Sequence, residues 1–278
     1  MNPTAFDFEK VPLGKQEYVH DPRTLMMEEF VFADIRFPAI WDFDRGRSAF
    51  PVNAWGNFDW GDCVCGGQTN HLLRLERVEQ RWTVPIREQD VVDHYKIESK
   101  RQFGEAPETP GDKNDKGLYV LGNLQTWRNI GWTLPGVKNL RNPRTYKISA
   151  YGELDPANHD QLRRSIFLMQ GIEMGFWLPK AAAEMTNKGV WDYNGQTGPE
   201  WQPGSWGGHL VYAKAYDPNW IEVISWGLKI QVTNAFIDKF CDEAWAVVDD
   251  LDSWKAQQTI DVAAMTEKLK QISSKINQ

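Results

Sequence analysis

Two residues far apart in this chain carry the chemistry it could do. One is Cys63, in the stretch Asn57–His71 (NFDWGDCVCGGQTNH); the other is His209, at the end of Pro203–His209 (PGSWGGH). Gly61 and Asp62 precede the cysteine, and Gly66, Gly67 and the run to Leu72, Leu73 and Leu75 suit a helix that begins there. A cysteine in the first turn of a helix faces unpaired backbone N–H groups and the positive end of the dipole, and both favour the nucleophilic thiolate. Asn57 stands six residues earlier, so a tight turn can return its amide to the sulfur as an oxyanion donor. For a lone cysteine, a buried and inert thiol in a glycine-rich loop is the simpler reading. The histidine shifts that balance. His209 opens a strand-like run, Leu210–Tyr216, followed by a turn at Asp217-Pro218-Asn219 and a second run, Trp220–Ser225, closed by Trp226-Gly227. A thiol on a helix and an imidazole on a hairpin are a nucleophile and its proton acceptor.

The early cysteine and late histidine follow the order of the papain-like cysteine peptidases. The chain resembles that family at Gly61–Cys63 (GDC), Gly207–His209 (GGH) and Ser225–Gly227 (SWG). Asp115–Trp132 (DKGLYVLGNLQTWRNIGW) and Gly171–Pro179 (GIEMGFWLP) resemble a papain-like subgroup met mainly in bacteriophage genomes. Each motif is weak alone; order and spacing carry the resemblance, which spans residues 50–250. It implies an α+β, papain-like fold, in which a helical part carrying the Cys63 helix packs on an antiparallel sheet or half-barrel. Ile172–Leu178, Leu210–Tyr216 and Trp220–Ser225 would supply that sheet. It also implies that Cys63 attacks a peptide or isopeptide acyl carbon. His209 would take the thiol proton and return it to the leaving amine. The backbone N–H of Cys63 and the side chain of Asn57 would hold the oxyanion.

The chain departs from the family pattern at several positions. Ile224 stands where the family has the asparagine that orients the histidine, and isoleucine cannot accept a hydrogen bond from a ring N–H. Ser225 follows it and is the candidate orienting group, weaker than an amide. Asn57 replaces the family's oxyanion glutamine and is one methylene shorter. Val64 takes the place of the tryptophan after the nucleophile, and a second thiol, Cys65, comes next. A dyad can work without its third member, which mainly fixes tautomer and geometry. Residues two apart on a helix point to nearly opposite sides, so Cys63 and not Cys65 is expected to face His209. Two functions are compatible with these features. One is a papain-like cysteine peptidase or amidase of bacteriophage origin. The other is a non-catalytic virion protein, capsid- or tail-associated, that keeps the fold as a scaffold.

Of the 278 residues, 41% are hydrophobic and 25% charged, which is ordinary globular composition. Fourteen tryptophans suit cores and interfaces alike. The net charge is −7 and no basic cluster is present, so no nucleic-acid partner is expected. The first residues, MNPTAFDFEKVPLGK, lack a signal-peptide core, and no run is long enough for a membrane span. A place in the virion or the host cytoplasm is expected. Cys63-x-Cys65 is not the spacing of a zinc ribbon, and no Walker loop, G-x-S-x-G or H-E-x-x-H occurs. No metal and no cofactor are expected.

These residues need elements to position them. Residues 1–50 read as an extended arm punctuated by Pro3, Pro12, Pro22 and Pro38. It has a short strand at Glu28–Ile35 and anchors at Phe37, Ile40, Trp41 and Phe43, set on the chain's own domain or on a neighbour. Within the papain-like domain, 51–250, Asn57–Val78 is expected to contain the nucleophile helix, and further helices are expected at Glu88–Ser99 with His94 on the surface and at Gly117–Ile130. Pro135–Arg144 reads as a loop and Tyr146–Tyr151 as a strand. A further helix runs from an Asp155 cap to Gln170, and another from Thr233 to Asp249 with Cys241 beside its stripe. The Trp-rich loop Lys188–Pro203 belongs beside His209. In 251–278, Asp261 caps a helix to Ile276. Its apolar residues Val262, Met265, Leu269, Ile272 and Ile276 alternate by three and four, as on a narrow packing seam. Asp249–Gln258 reads as a polar linker to this helix. Virion proteins or a second copy are the expected partners of the arm and of this helix, with a protein or peptide substrate if the site is active.

Overall fold

A computed structural model describes residues 6–31, 35–46, 50–80, 85–133, 145–249 and 259–276, with the side chains of 79–80 and 273–276 left aside. In chain order, strand β1 (Trp41–Asp42) precedes helices α1 (Cys63–Gln80), α2 (Glu88–Phe103) and α3 (Val120–Asn129). A small hairpin follows, β2 (Trp132–Thr133) with β3 (Thr145–Tyr146), then β4 (Ala150–Leu154), α4 (His159–Leu168) and β5 (Ile172–Leu178). Helix α5 (Ala181–Thr186) and β6 (Val190–Trp191) lead to β7 (Gly207–Tyr216), β8 (Trp220–Ser225) and β9 (Leu228–Thr233). The chain continues through α6 (Asn234–Phe240), β10 (Cys241–Val248) and α7 (Val262–Ile276).

The main sheet runs β4-β10-β5-β7-β8-β9-β6, with β1 paired to β7. All its pairings are antiparallel except β6 on β9. Strands β5 and β7 lie inside the sheet, and the face formed by Ile172, Met174, Phe176, Leu178, Val211 and Ala213 is shut off from solvent. Helix α1 lies across β7. Its small residues allow that closeness, since a Cβ at Gly67 would touch Leu210 of β7 at 3.4 Å and one at Gly66 would run into the Asn57 amide.

Several expected elements are corrected. Thr233 does cap a helix, its Oγ1 accepting the Phe236 N–H at 3.3 Å, but that helix stops at Phe240. Cys241–Val248 instead is a strand of the sheet, between β4 and β5. A strand buried on both faces and one side of a buried helix have the same apolar composition, and here the sheet decides. Glu28–Ile35 is no strand in its described part; Met27–Phe30 is a 3-10 turn. Helix α4 is capped by Asn158, which accepts the Gln161 N–H, and Asp155 serves the turn before it by accepting the Ala157 N–H at 2.9 Å. His94 is not on the surface. It is buried and stacked on Trp132 at 3.8 Å, and burial pulls its pKa down to about 3. Strand β9 was not anticipated.

The described parts of the arm and of the last helix pack on the chain's own domain. Phe37 packs edge-on to Tyr216, Trp41 edge-on to Phe167, and Phe43 is buried beside Phe50, while Ile40 stays exposed. Asp261 caps α7 by accepting the Ala264 N–H at 2.8 Å. Met265 and Leu269 are buried against the chain's own β4 and the Met27–Phe30 turn, so this part of the seam is covered from within. The rest of the polar linker after Asp249, the loop Pro135–Arg144 and the side chain of Ile276 lie outside the described residues. No helix among the described residues is long and apolar enough to cross a membrane.

Candidate active site

Cys63 is the first residue of α1, and Asp62 begins the helical hydrogen bonds by accepting the Gly66 N–H at 2.9 Å. Two backbone amides lie against the Cys63 thiol, those of Leu210 and of Gly14, and both favour thiolate. Burial is the larger effect. The residue is fully enclosed, and its pKa is pushed up to about 12.

His209 sits in β7 opposite Phe176 of β5. Its Nε2 lies 2.6 Å from Ser225 Oγ at the end of β8. The ring stacks on Trp226 with centroids 4.1 Å apart and planes 7° from parallel. Trp226 reaches that position from a turn with positive φ, 46° at Trp226 itself and 71° at Gly227, which a tryptophan adopts only when its surroundings enforce it. The Trp-rich loop supplies a second wall: Trp191 is buried, bonded to Thr186 Oγ1 at 2.9 Å, and its ring lies 6.5 Å from His209. Burial, and then the charge of Lys15, hold the His209 pKa down at about 3. The ring is therefore neutral near pH 7. With its proton on Nε2 toward Ser225, Nδ1 is a lone pair, and it has no partner among the described residues.

The four residues singled out from sequence thus divide. Cys63 lies against the amide of the residue after His209, and Ser225 is on the histidine. Asn57 is buried at the start of the same loop, but its Nδ2 donates to the Ala54 carbonyl at 2.7 Å and rests against Gly66. Its amide braces the turn into α1. Cys65 points the other way, its sulfur 3.9 Å from Asn123 Nδ2.

The N-terminal arm runs through the cleft, and sequence reasoning missed this. Leu118 donates its N–H to the Gly14 carbonyl at 2.7 Å, Gln16 donates to the Leu118 carbonyl at 2.9 Å, and Lys15 donates to the Gly208 carbonyl at 2.9 Å. Lys15 and Leu118 make a parallel bridge. Gly14 is required where it is, because a Cβ there would run into the Gly61 carbonyl, and a Cβ on Gly117 would run into Gly14. The one signal in the sequence was Gly14 itself, the only glycine before Gly46. Two surface grooves, of 700 and 670 Å³, lie elsewhere, beside Gly104–Asn114 and Lys180–Trp201. Among the described residues no cluster of three or more His, Cys, Asp or Glu is arranged for a metal ion.

No protein-family model and no curated protein matches the sequence. Solved structures do. Xylellain, a cysteine protease from Xylella fastidiosa, superposes with a TM-score of 0.62 at 14% identity, over 86% of this chain and 97% of that one. The digestive procathepsin L2 proteinase of Tenebrio molitor larval midgut gives 0.56 at 14% identity, over 87% of this chain and 79% of that one. The Carica candamarcensis cysteine protease CMS1MS2 gives 0.52 at 15%, over 77% and 99%. At such identities the likeness is one of fold: this chain has the α+β fold of the papain-like cysteine proteases.

Proposed function

We propose that the chain is a cysteine peptidase or amidase held latent by its own N-terminal arm. The observation that carries this is the placement of His209. Its Nε2 is on Ser225, its Nδ1 has no partner among the described residues, and its ring is clamped by Trp226 beside the strand residue whose amide covers Cys63. A neutral imidazole so held takes the thiol proton through Nδ1 once the cleft opens. The sulfur then attacks an acyl carbon, and the proton passes to the leaving amine. Ser225 does the orienting in place of the carboxamide that Ile224 cannot supply. Asn57 is the side-chain oxyanion donor if its amide leaves Ala54 when a substrate enters. The bacteriophage association rests on the resemblance of Asp115–Trp132 and Gly171–Pro179.

The second reading, a virion scaffold without catalysis, is favoured by one observation. Cys63 and His209 are both fully enclosed, and the thiol pKa stands near 12. Exposure of full-length Gly14→Val protein to an electrophilic peptidyl epoxide separates the two. An adduct on Cys63 that disappears with His209→Ala supports the peptidase. No adduct with the arm displaced, or an adduct indifferent to His209, supports the scaffold.

A further inference from the structure

Two tryptophan–glycine pairs of this chain have left-handed backbone. Trp226 and Gly227 have φ of 46° and 71°, and Trp55 and Gly56 have φ of 57° and 97°. The first pair walls His209. The second lies in the turn that carries Asn57, and a bulky residue keeps such a φ only under constraint. The constraint on Trp55 is a buried hydrogen bond to α1. Its Nε1 donates to Asn70 Oδ1 at 3.1 Å, and both residues are shut off from solvent. Asn70 is itself fixed, because its Nδ2 donates to the Gly66 carbonyl at 3.1 Å.

Cys63, Gly66 and Asn70 are spaced by three and four along α1, so they share one face of the helix. The Ala54–Asn57 turn lies along that face. Trp55 is held on Asn70, and the Asn57 amide rests on Gly66, where a Cβ would come within 2.3 Å of its Nδ2. The same segment touches the histidine side. A Cβ on Gly227 would lie 3.4 Å from the Val52 carbonyl oxygen and 3.6 Å from the Ala54 nitrogen. The backbone bearing Asn57 is thus set against both the nucleophile helix and the turn that walls the histidine. The Ala54 carbonyl accepts from Asn57 twice, from its backbone N–H at 3.1 Å and from Nδ2 at 2.7 Å. When Nδ2 leaves for an oxyanion, the backbone bond stays, and the move is a side-chain rotation on a fixed turn. An asparagine reaches one methylene less than a glutamine, so the backbone behind it has less slack.

We infer that Trp55 and Asn70 are positioning residues: their hydrogen bond registers the Ala54–Asn57 turn on the Cys63 helix and so sets where the Asn57 amide meets the developing oxyanion. This rests on the peptidase reading above. The pair acts through Asn57 and not on the substrate.

The test separates acyl transfer from alkylation at one sulfur. Iodoacetamide reacts by displacement at a saturated carbon, and no oxyanion forms. p-Nitrophenyl acetate is attacked at its carbonyl: the sulfur takes the acetyl group through a tetrahedral oxyanion, and p-nitrophenolate leaves. Both reactions are followed in full-length Gly14→Val protein, counting only what Cys63→Ala abolishes. Adding Asn70→Ala or Trp55→Phe is expected to slow acylation at least about tenfold, as for a misplaced catalytic group, and to leave iodoacetamide labelling of Cys63 unchanged. Trp55→Phe keeps the ring and removes only the N–H, so it serves if Asn70→Ala fails to fold. In the Asn57→Ala background, Asn70→Ala should cost no further acylation, because the pair acts through that amide. Three results overturn the proposal: acylation indifferent to both changes, equal loss in both reactions, or a full further loss without Asn57. The two readings fail separately. No Cys63-dependent acylation by Gly14→Val sinks the peptidase and the positioning pair with it; acylation that ignores Asn70 and Trp55 sinks the pair alone.

Discussion

Helix α1 carries a thiol on each of two faces. Cys63 lies under the amides of Leu210 and Gly14 and next to the strand that holds His209. Cys65 looks the other way, into a buried group of polar side chains. Asn123 donates to Gln68 Oε1 at 2.6 Å, Gln68 donates to Glu173 at 3.2 Å, and His71 Nδ1 lies 3.5 Å from Glu173. Both faces thus offer a cysteine, a histidine and polar partners, and both thiols are raised by burial. The difference lies in what covers them. Cys65 lies against α3 and α2, which are core. Cys63 is covered by Gly14 of an arm that is held by three backbone hydrogen bonds and by the ion pairs of Lys15 with Asp242 and Glu243, and the latent-peptidase reading requires that this arm leave without unfolding the sheet. Residue type makes chemistry possible; a displaceable neighbour makes it available.

Changes on the two faces should therefore fail in different ways. In the Gly14→Val background, Asn57→Ala should lower any acyl-transfer rate by about 10²–10³-fold, the usual loss for one oxyanion donor. Steady-state hydrolysis checks this, and an unchanged rate would place the donor elsewhere. Because the same amide braces Ala54, a small loss of stability should accompany it. Glu173→Ala, on the sealed face, should cost about 3 kcal/mol of stability, from a cavity and from stranded Gln68 and His71 partners. Urea denaturation measures that. Cys63 labelling in the folded protein should not change, and if it did, the two faces would be coupled.

Acid should weaken the arm more gently. Near Lys15, His209 has a pKa of about 3, against a usual value near 6.5. A depressed folded-state pKa gives stability that is present above 6.5 and lost as pH falls toward 3. Part of the depression comes from Lys15, so protonating His209 should disfavour docking of the arm. His94, buried and also near 3, adds to acid destabilisation of the whole domain in the same window. Amide exchange at Lys15 and Gln16, corrected for intrinsic rates, should lose protection between pH 6.5 and 3. His209→Gln should flatten that dependence while the contribution of His94 remains.

Much of this was legible in the sequence because it depends on local signals. The Cys63 helix, the two strands after His209, the Asp261 cap and the opposite aim of Cys63 and Cys65 follow from period, turn residues and helix geometry. The exchange of helix for strand at Cys241–Val248 was not legible, because a doubly buried strand and a buried helix face use the same residues. His94 was misplaced because the Trp132 ring that stacks on it is not a local neighbour in the sequence. The arm was the largest omission. Gly14 was the one local signal, and it points to a cleft only once Gly61, Gly117 and Gly208 are brought around it from three distant places in the chain.

The most direct test of the displaceable arm is the rate at which iodoacetamide alkylates Cys63, resolved from Cys65 and Cys241 by mass spectrometry, near neutral pH. Wild-type protein should react slowly at Cys63, since the thiol is enclosed and its pKa stands near 12. Full-length Gly14→Val, whose added side chain collides with the Gly61 carbonyl, should react there at least about 100-fold faster, as expected for a thiol that regains its first-turn position without the burial penalty. Cys65 should stay as slow as before, and the gain should vanish with His209→Ala. Equal Cys63 rates in wild type and Gly14→Val, with folding intact, would contradict an arm that plugs the site.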